Sequence, residues 1–124
     1  MQFLYHYSFI FVFASSDVPQ IIPFEFPARV FSGQDVQLFC NVAQGDLPLT
    51  ILWYFHGEEI SHVMGVATMK VGTRSSILSI TSATYGHSGT YTCDATNNAG
   101  KESYSAALTV YGAYLNKFRA TFQN

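Results

Sequence analysis

Two histidines and two glutamates near the middle of the chain are the side chains that come closest to a metal site. His56 and His62 flank a turn that also contains Glu58 and Glu59. Imidazole and carboxylate groups can bind a metal such as zinc when three or four of them meet in a defined geometry. These four residues form no recognised ligand set. A solvated loop is therefore the favoured interpretation, and we expect no metal and no cofactor.

Signatures of catalysis and of nucleic-acid binding are also missing from the sequence. No serine lies in a nucleophile elbow, and no glycine-rich loop could cradle a phosphate. The chain has six Lys and Arg residues against eight Asp and Glu residues, a formal net charge of −2. That balance argues against nucleic acid as a partner, which needs a clustered positive surface. Asn41, Asn97, Asn98 and Asn116 have no Ser or Thr two residues on, so none of them starts a glycosylation sequon. We therefore expect a protein that binds other proteins and is not an enzyme.

The two cysteines have the spacing of a structural disulfide. Cys40 and Cys93 are separated by 53 positions, and Trp53, the single tryptophan, lies between them. In an oxidising compartment such a pair forms a disulfide, whereas in the cytosol it stays as two buried thiols. For a loop of this length, the chain-entropy model gives a stabilisation of roughly 4 kcal/mol.

Alternation of apolar and polar residues predicts the strands that position these side chains. Residues of one inward face recur at every second position, as in a half-buried strand. The inward sets are Val36/Leu38/Cys40/Val42, Ile51/Trp53/Phe55, Ser76/Leu78/Ile80, Tyr91/Cys93/Ala95 and Tyr104/Ala106/Leu108/Val110. A further strand is expected over residues 68–71, and a proline-punctuated edge strand over 18–27. Turn residues occupy 45–48, 56–59 and 97–100.

Together these features predict an all-β, immunoglobulin-like antiparallel sandwich with one inter-sheet disulfide. Cys40, Trp53 and Cys93 all fall on inward positions. Tyr91 lies two residues before Cys93, where a tyrosine corner is expected in this fold. We expect Trp53, Tyr91 and Leu78 in the core.

The N-terminus indicates the compartment. A largely apolar stretch, interrupted by His6 and Ser8, runs from Phe3 to Ala14, and the small residues Ala14 and Ser16 suit cleavage after position 16. We therefore expect a signal peptide over 1–16, an extracellular domain over 17–111 and a C-terminal tail over 112–124. A buried N-terminal strand or a mistaken start codon are the alternatives. No other stretch is long and apolar enough to span a membrane. We thus expect the domain to make no direct contact with a membrane. The chain is expected either to be secreted or to belong to a longer membrane-anchored protein.

Several local motifs resemble known cell-surface domains. The run Ser88-Gly89-Thr90-Tyr91-Thr92-Cys93 resembles the corresponding strand of I-set immunoglobulin domains. Pro19 to Phe24, Gly45 to Pro48 and Ile51-Leu52-Trp53 are similar to the variable immunoglobulin domains of arthropod Down syndrome cell adhesion molecules (Dscam). This resemblance covers roughly residues 18–111. It has one departure, because I-set domains carry an Asp where this chain has His87. The resemblance makes Arg74 a candidate basic partner for that position, but with His87 in place of the Asp we expect the bond to be neutral or absent.

The resemblance implies homophilic binding, in which the domain recognises an identical copy and supports cell adhesion and neuronal self-recognition. The expected partner is an identical domain in an antiparallel homodimer, on a cell surface among neighbouring immunoglobulin domains. The interface candidates are the outward residues Gln37, Phe39, Ile77 and Ser79. Phe39 and Ile77 are apolar where alternation predicts solvent, as in an interaction patch.

Other surfaces and other functions stay open. Leu52 and Tyr54 point outward on the other sheet and could contact a neighbouring domain instead. The module could be secreted and bind a non-self ligand, such as an immune target or a receptor. It could also be an intracellular structural I-set module with free thiols.

Overall fold

The alternating segments form two four-stranded antiparallel sheets. The computed structural model describes residues 16–112. The first sheet has the strand order β1-β3-β7-β6. Its strands are β1 (Gln20–Ile21), β3 (Val36–Gln44), β6 (Val66–Val71) and β7 (Ser75–Ile80). Strand β6 therefore begins two residues earlier than its sequence pattern predicts.

The second sheet contains the hairpin that carries the second cysteine. Its order is β5-β4-β8-β9, with β4 (Thr50–Phe55), β5 (Glu58–Glu59), β8 (Gly89–Asn97) and β9 (Gly100–Leu108). The predicted four-residue turn over 56–59 is shorter in the structure. His56 and Gly57 make the turn with φ of 52° and 83°, and Glu58 and Glu59 pair with β4.

A third pairing of two short strands joins the segment before β3 to the end of the described chain. Strand β2 (Val30–Phe31) lies parallel to β10 (Val110–Tyr111). The sequence predicts one final strand that continues through Val110, but the strand breaks at Thr109. The predicted edge strand over 18–27 is likewise reduced to the two residues of β1. Pro23 and Pro27 follow it, and proline has no N–H to donate to a ladder.

The turn at residues 97–100 has the tight geometry that its sequence predicts. The side-chain oxygen of Asn97 accepts hydrogen bonds from the backbone N–H groups of Ala99 (2.9 Å) and Gly100 (3.1 Å). The same side chain donates to the carbonyl oxygens of Asp17 (2.7 Å) and Asp46 (3.0 Å). Asn97 therefore joins the turn between β8 and β9 to the segment before β1 and to the loop before β4.

The core lies between the two sheets and contains most of the predicted inward residues. Among residues 16–112, eighteen apolar side chains are buried, and they come from both sheets, from the β2–β10 pair and from the segments between strands. Four predicted inward residues are only half-buried at its margin: Ile51, Phe55, Tyr104 and Ala106. Each fully buried Leu, Ile or Val contributes about 1.5–3 kcal/mol. This is the immunoglobulin-like sandwich that the sequence predicts.

Two short 3₁₀ helices, Ile60–His62 and Tyr85–His87, connect strands. The predicted signal peptide and C-terminal tail lie outside the described residues, except for Ser16 and Gly112. The predicted domain limits of 17 and 111 therefore stay predictions.

Candidate protein-binding face

The cysteines and the tryptophan meet between the sheets. Cys40 of β3 and Cys93 of β8 form the predicted inter-sheet disulfide, with their Cα atoms 6.5 Å apart. Trp53 is 2% exposed and is the cross-strand neighbour of Cys93. Its indole N–H donates a hydrogen bond of 2.9 Å to the hydroxyl of Ser76, across the core on β7. This bond explains why a serine occupies an inward position, since a buried indole N–H needs an acceptor.

Tyr91 connects the core to the loop that precedes its own strand. It is fully buried, and its hydroxyl donates to the backbone oxygen of His87 at 2.6 Å. This is the tyrosine-corner contact that the spacing predicts. Burial raises the pKa of Tyr91 from 10.0 to about 12, because an apolar environment disfavours the phenolate. The rings of Phe26 and Phe55 lie 5.3 Å and 4.6 Å from the Tyr91 ring.

Leu78 sets the register of the first sheet. It is fully buried at the centre of β7, with Leu38 of β3 on one side and Thr68 of β6 on the other. Side chains alternate along a strand, so its neighbours Ile77 and Ser79 point to the outer face. A slip of one residue would turn Leu78 and Ile80 from the core to solvent.

All four predicted interface candidates lie together on the outer face of the first sheet. Gln37 is the cross-strand partner of Ser79, and its amide donates to the Ser79 hydroxyl at 3.4 Å. Phe39 is the partner of Ile77 in the same two strands. Phe39 is 47% exposed, whereas Ile77 is half-buried.

Strand β6 extends this face with residues that are not among the interface candidates predicted from the sequence. Met69 is the cross-strand partner of Ile77, and it is 61% exposed. Val71, two residues further along, is also exposed and lies on the same face. Phe39, Ile77 and Met69 form a line across three strands that we call the apolar row, and Val71 lies next to it in register with Ser75. The signal was present in the alternation of Met69 and Val71 with Thr68 and Lys70.

Polar side chains lie on both sides of the apolar row. Gln37 and Ser79 flank it on one side. On the other side the hydroxyl of Ser75 donates to the side-chain oxygen of Asn41 at 2.6 Å. Within each pair, the two side chains are hydrogen-bonded across neighbouring strands, so the polar groups are already oriented. An apolar centre with a polar rim is the usual composition of a protein–protein interface.

The outer face of the second sheet is different. Thr92 and Ser105 share a hydrogen bond of 2.7 Å between β8 and β9. Asp94 accepts a hydrogen bond from Ser103 and forms an ion pair with Lys101 at 3.6 Å. Leu52 is 38% exposed, and Tyr54 is half-buried. The large apolar residues of this face, Leu52 and Tyr54, thus lie on β4, beside strands that carry hydrogen-bonded polar groups.

His87 has a different partner from the one that the resemblance suggests. It is buried, and its Nδ1 accepts the backbone N–H of Thr84 at 3.0 Å. Its Nε2 donates to the carbonyl oxygen of Met64 at 2.8 Å, because a carbonyl can only accept. The imidazole therefore joins the loop before β6 to the loop before β8 without an ion pair.

Arg74, the candidate basic partner, is at the wrong end of β7 to reach His87. It precedes the first residue of the strand, and its guanidinium donates to the carbonyl oxygen of Gly45 at 2.8 Å. His87 lies near the other end of β7. Gly65 approaches it so closely that a Cβ added at Gly65 would be 3.3 Å from the Nε2 of His87. Arg74 is therefore not the partner of His87, and each of the two side chains bonds to a backbone carbonyl instead.

The described side chains form no cluster that could bind a metal. Within residues 16–112, no three His, Cys, Asp or Glu side chains come close enough to hold a metal ion. Among the same residues, no helix has the length and apolar character of a membrane span. The side chain of His62 lies outside the described atoms, so the pairing of His56 with His62 stays untested.

The fold, the disulfide and its packed tryptophan define the class. Residues 19–97 match the family described as immunoglobulin domain, and the chain belongs to that family. The sequence is 37% identical over 92 residues to the cell adhesion molecule Dscam2 of Drosophila melanogaster. The alignment includes 74% of this chain and 4% of the relative, so the chain spans a small part of that protein.

Solved structures give the same resemblance. The crystal structure of the Dscam1 Ig7 domain, isoform 5, has a TM-score of 0.72 and 32% identity, over 75% of this chain and 96% of that one. The N-terminal eight immunoglobulin domains of DSCAM isoform 1.30.30 match with a TM-score of 0.71 and 42% identity. That match covers 77% of this chain and 12% of the other.

Proposed function

We propose that this domain is a homophilic recognition module, which pairs with an identical copy through the outer face of the first sheet. The apolar row is the observation that carries the proposal. Phe39 and Met69 are both about half exposed or more, and they lie on either side of Ile77. Exposed apolar residues usually occur singly on a protein surface. A contiguous row with a polar rim favours an interaction site.

An antiparallel two-fold arrangement suits this face. A two-fold interface brings the same patch of each copy together, so an apolar centre meets an apolar centre. The rim pairs Gln37–Ser79 and Asn41–Ser75 would then meet polar groups of the second copy around the apolar row. These side chains are already hydrogen-bonded within each copy. Pairing would therefore cost little side-chain ordering at the rim.

The parent protein is proposed to be a cell-surface adhesion protein of the Dscam type. The similarity to Dscam2 and to two Dscam structures supports this. We infer that the domain is extracellular and lies among neighbouring immunoglobulin domains. The disulfide favours an oxidising compartment over the cytosol. The likeness to an isoform-specific Ig7 domain supports a variable domain of the arthropod type. The biological role would be adhesion and neuronal self-recognition, by binding and without catalysis.

The test is self-association of the full chain, measured by analytical ultracentrifugation and by aggregation of coated beads. In the proposed dimer, Phe39→Lys places one positive charge from each copy at the interface. It should raise the dimer dissociation constant at least about tenfold. Leu52→Lys is the matched control, since Leu52 is similarly exposed on the other sheet. Lysine suits both sites because Leu52 lies opposite Asp94, which would repel an introduced aspartate.

The outcomes separate the alternatives. Wild-type chain and Leu52→Lys should associate alike, and Phe39→Lys should stay folded but monomeric. Loss of association only in Leu52→Lys would move the interface to the second sheet. A monomeric wild-type chain that does not cluster beads would overturn homophilic binding and favour recognition of a non-self ligand.

A further inference from the structure

Two methionines are exposed in the described part of the chain, and they lie in different surroundings. Met69 is 61% exposed and lies in the apolar row, directly opposite Ile77. Met64 is 90% exposed and lies in the turn before β6, outside the strands of the sheet. An exposed thioether is open to oxidation, and the product is a polar sulfoxide. The chain therefore contains one oxidisable sulfur on the candidate face and one away from it.

We propose that Met69 is a site of reversible oxidation, and that its sulfoxide weakens pairing through the first sheet. This inference rests on the proposed function. A peroxide is the oxidant. The sulfur lone pair of Met69 attacks one peroxide oxygen, the O–O bond breaks, and a sulfur–oxygen bond forms. The sulfur is oxidised by two electrons, and hydrogen peroxide is reduced to water. Methionine sulfoxide reductases reverse the change.

The position of Met69 determines the effect on pairing. In the free domain a sulfoxide oxygen at this exposed site is solvated by water, so the fold tolerates it. In the paired state the same oxygen would face the apolar row of the second copy. A polar group that loses its water there and gains no donor opposes burial. The backbone of Met69 lies within the ladder between β6 and β7, in register with Ile77, and the side-chain oxygen takes no part in that ladder.

The coupling between oxidation and pairing must run in both directions. If the sulfoxide weakens pairing, pairing must oppose formation of the sulfoxide. Pairing also covers the sulfur and keeps peroxide away from it. Met69 should therefore oxidise more slowly at protein concentrations above the dimer dissociation constant than below it. Met64 should oxidise at one rate throughout, because it lies off the candidate face.

The first experiment measures both rates in the same sample of the full chain. Hydrogen peroxide is added at a series of protein concentrations, and peptide mass spectrometry follows the sulfoxide at each methionine. We expect the Met69 rate to fall several-fold as the chain dimerises, with the Met64 rate unchanged. A Met69 rate that is independent of concentration in a chain that dimerises would overturn the proposal.

The second experiment measures the dissociation constant before and after peroxide treatment for wild type, Met69→Leu and Met64→Leu. Leucine keeps a similar volume and cannot be oxidised. Met1 is present in all three chains, so its oxidation cancels. Oxidation should raise the dissociation constant about tenfold or more in wild type and Met64→Leu, and leave Met69→Leu unchanged. Treatment with reductase should restore the original value.

The two proposals fail in distinguishable ways. A dimer that is sensitive to Phe39→Lys but survives oxidation of Met69 would overturn only the role of Met69. Equal weakening of Met69→Leu and wild type by peroxide would do the same. A chain that is monomeric before any peroxide is added would overturn both proposals.

Discussion

The outer faces of the two sheets are built from the same strand geometry and carry opposite chemistry. On the first sheet, Phe39, Ile77 and Met69 form an apolar row across three strands. On the second sheet, Thr92 and Ser105 bond to each other across two strands, and other polar pairs adjoin them. Both sheets have apolar inner faces that share one core.

This difference shows which positions the fold controls. Packing between the sheets requires apolar side chains at every second position, and leaves the alternate positions to solvent or to a partner. The inner faces therefore determine stability. The outer faces are free to differ, and there the choice of partner can be encoded. Each prediction below tests whether stability and association divide in this way.

The largest effect is expected where the two sheets interlock. Trp53→Ala should lower the free energy of unfolding by about 3–5 kcal/mol, because it leaves a cavity beside the disulfide. Chemical denaturation measures this loss. Trp53→Phe is the control and should lose less, since it keeps an aromatic ring. Unfolding of Trp53→Ala at nearly the wild-type denaturant concentration would contradict the assignment of Trp53 to the core.

A smaller loss is expected from the hydrogen bond between the sheets. Ser76→Ala leaves the indole N–H of Trp53 buried without an acceptor, which should cost about 1–3 kcal/mol. Association of the folded chain should not change, because Ser76 points inward. Ser75→Ala is the control on the outer face and should cost less than about 0.5 kcal/mol. Equal losses in the two variants would argue against a buried bond at Ser76.

Tyr91 gives a prediction in which the effect depends on pH. Burial raises its folded-state pKa to about 12, above the ordinary 10.0. Its contribution is therefore complete below pH 10 and is lost as pH rises from 10 towards 12, since ionisation favours the unfolded chain. Tyr91→Phe should cost about 1 kcal/mol at neutral pH. The gap between the two chains should narrow above pH 10. A constant gap across that range would contradict the buried phenol.

The smallest effect is expected on the outer face of the second sheet. Lys101→Ala removes the ion pair with Asp94, and because the Lys101 end is exposed to solvent the pair should contribute about 0.5 kcal/mol or less. Neither stability nor self-association should change beyond that amount. Sedimentation at low and high salt tests it. A large change in association would mean that the second sheet takes part in pairing.

The core could be predicted from the sequence because its signals are local and redundant. Cys40, Trp53 and Cys93 have a spacing that few folds share, and alternation places each on an inward face. Tyr91 follows from its position beside Cys93. These residues are tied to strand geometry, which a sequence displays directly.

The surface could be predicted only in part. Phe39 and Ile77 can be recognised because they are apolar residues at outward positions of strands whose inward sets are clear. Met69 was not, because the inward side of β6 contains Thr68 and Lys70 and so lacks a clear apolar set. Lys70 reaches the backbone oxygen of Leu49 at 3.0 Å, a contact that no local pattern shows. The bond from His87 to Met64 is likewise formed with a distant backbone carbonyl.

The position of Trp53 also has an optical consequence. It is the only tryptophan in the chain, it is 2% exposed, and it lies beside a disulfide, a group that quenches indole fluorescence. The folded protein should therefore emit weakly and at short wavelength. Unfolding should shift the emission to the red, and reduction of the disulfide should brighten it. The fluorescence of Trp53, which bonds to Ser76 across the core, therefore reports whether the two sheets remain packed together.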